Sequence, residues 1–209
     1  MSLSQNPWLG HMSGSMANVN TYTCNGQNVI SSKAFHKKDA NTPSQIAQRA
    51  SFKLMAKAYR SFGGLLRNNF PDKLVTESAY NFFMKLNLPE AIDKLSGVPV
   101  IDYSKLQVSQ GGLLPVKVTT AIAGATGVTV SYKTNTQVAD VSATDQVVAF
   151  GKTTENEIII ARQVRGSQAL NTVLIPYQGI AAEDVACLYV LVMSEDGMQV
   201  SDSMFVTVS

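Results

Sequence analysis

The chain is poor in the side chains that most enzymes use to make and break bonds. Its 209 residues hold two histidines, His11 and His36, two cysteines, Cys24 and Cys187, and one tryptophan, Trp8. Any nucleophile–imidazole pair has to draw on one of those two histidines. Cys24 lies near His36 in sequence, so a thiol nucleophile is conceivable, but no third orienting group is evident. Two Cys and two His at these spacings do not suit a zinc site. There is no G-x-G-x-x-G after a strand, no P-loop, no H-E-x-x-H and no G-x-S-x-G. The expectation is a protein that is not an enzyme and that carries no metal and no cofactor. The cysteines read as buried free thiols in a reducing compartment rather than as a disulfide.

Long apolar runs are missing as well. None approaches 18 residues, so no membrane span is expected. The first residues, MSLSQNPWLGHMSGSM, lack a basic n-region and an apolar h-region, so no secretory signal is expected. What is present is an ordinary apolar share of 45%, enough to fill a core without metal or disulfides. Net charge is only +2 but lies unevenly. Residues 1–75 carry nine Lys/Arg and two acids, a net of +7, and residues 76–209 carry eight and thirteen, a net of −5. Such polarity points to a polyanionic partner or to head-to-tail self-association.

The clearest single element is Thr42 to Phe70. Thr42 with Gln45 spells a capping box and Pro43 fits the first helical position. Phe52, Leu54, Met55, Ala58, Tyr59 and Phe62 fall on one side at helical spacing, and Arg49, Lys53, Lys57 and Arg60 on the other. No acid interrupts that basic row. Gly63-Gly64 ends or kinks the helix. A second helix follows, with Thr76 as its cap, an apolar side from Ala79 to Leu86, and Pro89 as its bound. Both helices are expected to pack on one another or on a sheet.

Before the helices, residues 1–18 read as an extended arm in which Trp8 and Leu9 dock onto a core. Val19 to Ser32 reads as a hairpin turning at Asn25-Gly26. A basic loop with Lys33, His36, Lys37 and Lys38 comes next. After about Gly97 the texture turns to short strands: Val98 to Ile101, Leu106 to Val108, Val116 to Ala121, Gly127 to Tyr132, Gln146 to Phe150, Glu157 to Gln163, Thr172 to Tyr177, Val185 to Met193 and Met198 to Val208. Their spacing argues for an antiparallel β-sandwich. The expected class is α+β, with an N-terminal arm, hairpin and helical region at 1–97 and a sandwich domain at 98–209. The acid pairs Glu155/Glu157, Glu183/Asp184 and Glu195/Asp196 fall in turns or at strand edges and read as solvated.

Several of these segments together resemble a known family. They are Leu9 to Ser15 with Asn18-Val19, Val29 to Lys33, Thr42-Pro43 with Gln45, Gln48 and Arg49, Tyr80-Asn81-Phe82 ahead of Leu86-Asn87, and Ile101 to Ser104 ahead of Val108 to Gly111. Their order and spacing are similar to the uncharacterised DUF6266 proteins of Bacteroidota and their phages. The resemblance implies an arm, hairpin and helices joined to an immunoglobulin-like sandwich, and it marks Gly10-His11-Met12 as native. It departs from the family at Asp39 to Thr42, where Asn-Pro is commoner before the helix, and at Gln110, where a basic residue is commoner. It supplies no catalytic residues.

Two functional readings lead, ahead of a carbohydrate- or protein-binding sandwich displayed outside the cell and, last, an enzyme. The first is a non-catalytic assembly protein, a virion component of capsid or tail, that touches copies of itself or other assembly proteins. Its grounds are an arm too poor in core residues to fold alone, an uncovered sandwich and the polarised charge. The second is nucleic-acid binding through Lys33, Lys37, Lys38, Arg49, Lys53, Lys57 and Arg60, with Trp8 a further contact residue for a partner. The location expected is a virion or the cytoplasm.

Overall fold

The computed structural model describes residues 2–4, 13–33, 41–93, 98–135, 138 and 141–209. They divide into two compact units, Met1–Thr42 and Pro43–Ser209.

The first unit is a four-stranded antiparallel sheet of β1 (Ser2–Ser4), β2 (Gly14–Met16), β3 (Val19–Cys24) and β4 (Gln27–Ser32), in the order β1-β4-β3-β2. The β3–β4 hairpin turns where the sequence says it should. Asn25 and Gly26 take φ of 50° and 77°, the left-handed pair that matches the twist of the flanking strands. The segment read as an arm therefore supplies both edge strands. Among residues 13–33, Val29 is the one buried apolar side chain, at 4% exposure. Met16 and Tyr22 are exposed.

In the second unit α1 (Pro43–Phe62) leads through a 3-10 turn at Gly63–Leu66 toward α2 (Ala79–Glu90). Gly63 has φ of 57°, which ends α1 as expected. Its buried stripe is Ser51, Met55, Ala58 and Phe62. Phe52 is 45% exposed, a correction to the expected apolar face, because it stands about 90° from that stripe at 100° per residue. The cap of α2 is Ser78, whose hydroxyl accepts from the Asn81 N–H at 3.1 Å, and not Thr76. Short β5 (Ile92–Asp93) and β6 (Val100–Ile101) pair with each other.

Seven strands follow: β7 (Lys117–Gly124), β8 (Gly127–Lys133), β9 (Gln146–Thr153), β10 (Ile158–Val164), β11 (Leu170–Pro176), β12 (Val185–Met193) and β13 (Met204–Phe205). They make two antiparallel sheets, β11-β8-β7 and β10-β9-β12-β13. One apolar cluster lies between them, built from Val128, Val130, Tyr132, Val173 and Ile175 on one side and Val147, Ala149, Leu188, Val190 and Val192 on the other. A second joins the opposite face of β9 and β12 (Val148, Phe150, Cys187, Tyr189, Leu191) to Met55, Phe62, Leu66, Phe70 and Phe83. The expectation of an uncovered sandwich is thus corrected: the helices cover one face. Burial on both sides is why β9 and β12 read as near-continuous apolar runs without alternation. The texture of the sequence changes near residue 97, but the helices before that point and the strands after it fill one core.

Leu106 to Val108 is not a strand. Side chains take the backbone groups of Gln107 and Val108 instead. Asn87 Oδ1 accepts from Gln107 N at 2.7 Å and its Nδ2 donates to Gln107 O at 2.9 Å. Asn69 Nδ2 donates to Val108 O at 3.1 Å. The last expected strand, Met198 to Val208, shrinks to β13 with single bridges Met193–Val200 and Leu113–Ser201. Before it, the Ser194 hydroxyl accepts from Gln199 N at 2.9 Å and Gly197 takes φ of 70°, closing the expected turn.

Candidate functional site

The basic row of α1 is present and outward. Arg49, Lys53, Lys57 and Arg60 are all exposed, on the side of the helix away from its buried stripe. Among the described residues, Lys53, Lys57 and Arg60 form no ion pair. Lys33 is exposed at the end of β4, its backbone N–H donating to Asn18 O at 2.7 Å. Trp8, His36, Lys37 and Lys38 lie outside the described residues, as do Leu9 and Gly10-His11-Met12.

The row is not uniform. Lys57 stands nearest the flank of α1 that turns toward the core. With Leu54, Ala58 and Ser61 it forms one wall of a cavity of about 130 Å³. Ile101 and Tyr103 form another wall, and Lys152 with Asn156 closes it. Lys152 gets there by strand alternation: Val148, Phe150 and Lys152 share the face of β9 that lies under the helices. Sequence reading missed it because a lysine near a strand end looks solvated. The available signal was its parity with Phe150.

The turn between β9 and β10 also gathers acids. Tyr177 donates from its hydroxyl to Glu157 Oε2 at 2.8 Å. That bond, with the charges of Glu157, Glu155 and Asp184, raises the Tyr177 pKa. Acids from two pairs read separately in the sequence, Glu155 and Glu157 from one and Asp184 from the other, therefore act on one side chain.

A larger cavity of about 480 Å³ is lined by Arg67, Asn68, Phe70, Pro71, Lys73, Glu77 and the start of α2, with Gly197 and Met198 opposite. Glu77 Oε2 is buried there without a hydrogen-bond partner among the described residues.

The most deeply buried charge belongs to Arg165, 1% exposed. Its Nε donates to Thr134 O at 2.6 Å and Nη1 to Leu114 O at 3.2 Å, and Nη1 lies 3.6 Å from Asp145 Oδ2. Burial lowers its pKa, and Asp145 opposes that shift. The group ties the loops around residues 114, 134 and 145 together at one end of the facing sheets.

Neither thiol is in a disulfide. Cys187 is buried, and burial pushes its thiol up to about 11. Cys24 is exposed, contrary to the expectation that both are buried. It is the last residue of a strand before a tight turn, where none of the described residues covers it. Among the described residues no three His, Cys, Asp or Glu side chains cluster around a common point fit for a metal ion. Among the described residues no helix is long and apolar enough to cross a membrane.

A family model described as a family of unknown function, DUF6266, matches residues 11–207. No curated protein and no solved structure matches the chain.

Proposed function

The chain belongs to the DUF6266 family, whose function is unknown, and we propose from its own geometry that it is a non-catalytic assembly protein that works by protein–protein contact. One observation carries the reading. Over residues 13–33 the sheet of the first unit buries a single apolar side chain, Val29. A small sheet with so little apolar burial gains too little to hold its shape alone. Register places Tyr22 opposite Val29 on the same face, and Tyr22 is 43% exposed. A surface from a neighbouring copy or another assembly protein supplies the missing burial. The facing sheets offer a second contact area: Ile122 and Leu174 flank Thr129 on the outer face of β11-β8-β7, and both are exposed.

The finer fold reading belongs here too. In order along the chain, the first, second and fifth strands of the seven pair in one sheet, and the third, sixth and seventh in the other. That connectivity supports an immunoglobulin-like sandwich in which the fourth strand joins the sheet of the third. The resemblance to proteins of Bacteroidota and their phages extends the proposal to a virion, with a capsid or tail role.

Light scattering coupled to size exclusion tests the reading. At high protein concentration and low salt the expected result is a species larger than a monomer, lost in the Tyr22→Glu variant. A strict monomer under those conditions overturns it. The exposed, unpaired Lys53, Lys57 and Arg60 favour a second reading, contact with nucleic-acid phosphates. That reading requires affinity that falls steeply with salt, and no gel shift at low salt removes it.

A further inference from the structure

The cavity between α1, β6 and the β9–β10 turn has an uncompensated charge. Two lysines line it, exposed Lys57 and half-buried Lys152, and among the described residues no acidic side chain does. The nearest acids in sequence are Asp102, between the lining residues Ile101 and Tyr103, and Glu155 and Glu157 on the turn; Asp102 is taken by Lys105 at 3.4 Å and by the Ser104 hydroxyl. Both glutamates act on Tyr177, and Glu157 is bound to it directly. Among the described residues, Lys57 and Lys152 make no ion pair and no side-chain hydrogen bond, and neither does the side-chain amide of Asn156. Lys152 does sense the Cys187 thiol. A thiol with a pKa near 11 is neutral at physiological pH and provides no counter-charge. The Ser61 hydroxyl donates to Ala58 O at 2.7 Å, so it has no hydrogen left for a ligand. Leu54, Ala58 and Ile101 supply the apolar part of the wall.

Two like charges facing a shared space, one of them partly withdrawn from water, repel each other and lose solvation. An anion between them reverses both effects and accepts hydrogen bonds from the ammonium groups and the amide. The geometry selects among anions. Ammonium groups are compact point donors, suited to a tetrahedral oxyanion that presents oxygens in several directions. The planar, two-pronged match to a carboxylate is the property of arginine, and no arginine lines the cavity. At about 130 Å³ the space admits one such group and not a whole nucleoside.

We propose that this cavity binds a single tetrahedral oxyanion of the phosphate class, held by Lys57, Lys152 and Asn156. The anion is free phosphate or the terminal phosphoryl group of a monoester whose remainder stays in solvent. The site is separate from the assembly reading, and a monomeric protein would still carry it.

The test is a calorimetric titration of the full-length protein with inorganic phosphate at low ionic strength, repeated with phenyl phosphate and with acetate. The expected result is saturable binding of phosphate, weakened at least ten-fold by Lys57→Gln and by Lys152→Gln. Lys53→Gln, on the same helix but outside the cavity, leaves it unchanged. Because Lys57 is exposed on a helix, its variant keeps the fold and decides the matter even if the Lys152 variant does not. Phenyl phosphate binding as well as phosphate identifies the ester end as the ligand; phosphate alone identifies the free ion. No saturable binding, an equal loss in the Lys53 variant, or acetate binding as tightly as phosphate overturns the proposal.

Discussion

Phe62→Ala is the substitution that asks most of this architecture. The ring is fully buried and stands edge-on to Phe150 and Tyr189, with centroids 6.0 and 6.1 Å apart and planes at 84° and 76°. It is the place where α1 meets the four-stranded sheet. Burial of a phenyl ring stabilises by about 1.5–3 kcal/mol. The hole left among close-packed neighbours raises the loss to about 3–5 kcal/mol, the edge-to-face contacts included. Against a total of about 5–15 kcal/mol for a domain, that is a large share. For a unit of this size, a loss of about 4 kcal/mol lowers the melting temperature by roughly 8–16 °C. The assay is urea unfolding followed by far-UV circular dichroism for the helices and, in a background with the helix tyrosines Tyr59 and Tyr80 replaced by Phe, by near-UV tyrosine signal for the sheets. Since helices and sheet share one core, both signals should move together to lower urea with the slope unchanged. A loss below about 1.5 kcal/mol, or a helix signal that shifts while the tyrosine signal stays, would refute the shared core and favour separate units divided near residue 97.

Three further outcomes are expected. Arg165→Ala should cost about 3–5 kcal/mol, because it strands Asp145 and the buried Thr134 carbonyl, whereas Arg165→Met with Asp145→Leu should recover most of that; urea unfolding of both variants checks it. A thiol reagent near neutral pH should modify Cys24 at once and Cys187 only after unfolding, and two fast thiols would contradict the burial. Alkaline stability should fall through the range where free tyrosine ionises. Burial pushes Tyr132 up to about 12, so from about pH 10 to 12 the unfolded chain loses a proton that the folded chain keeps. Tyr132 alone then removes about 1.4 kcal/mol per pH unit. Stability that stays flat across that window, followed by urea midpoints, would show that the hydroxyl is not buried.

The sequence by itself determined whatever depends on neighbours along the chain. Asn25-Gly26 set a hairpin, Gly63 ended the long helix, and Gln146 to Met193 announced strands, since turn geometry and short-range periodicity are written locally. The basic row of α1 was legible for the same reason: 100° per residue fixes which side chains share a face. Only the tertiary structure decided which faces were covered and which polar groups met. Phe52 looked as apolar as Phe62, and the sheet under the helix was what chose between them. Leu106 to Val108 looked like a strand until Asn69 and Asn87, far back along the chain, took its hydrogen bonds. Lys152 joined Lys57 because a strand period of two carried it under a helix about ninety residues earlier, a meeting that no local window contains. Continuous apolar runs in β9 and β12 already hinted at cover on both faces, but naming the cover needed the fold, because burial is a property of the whole packed molecule.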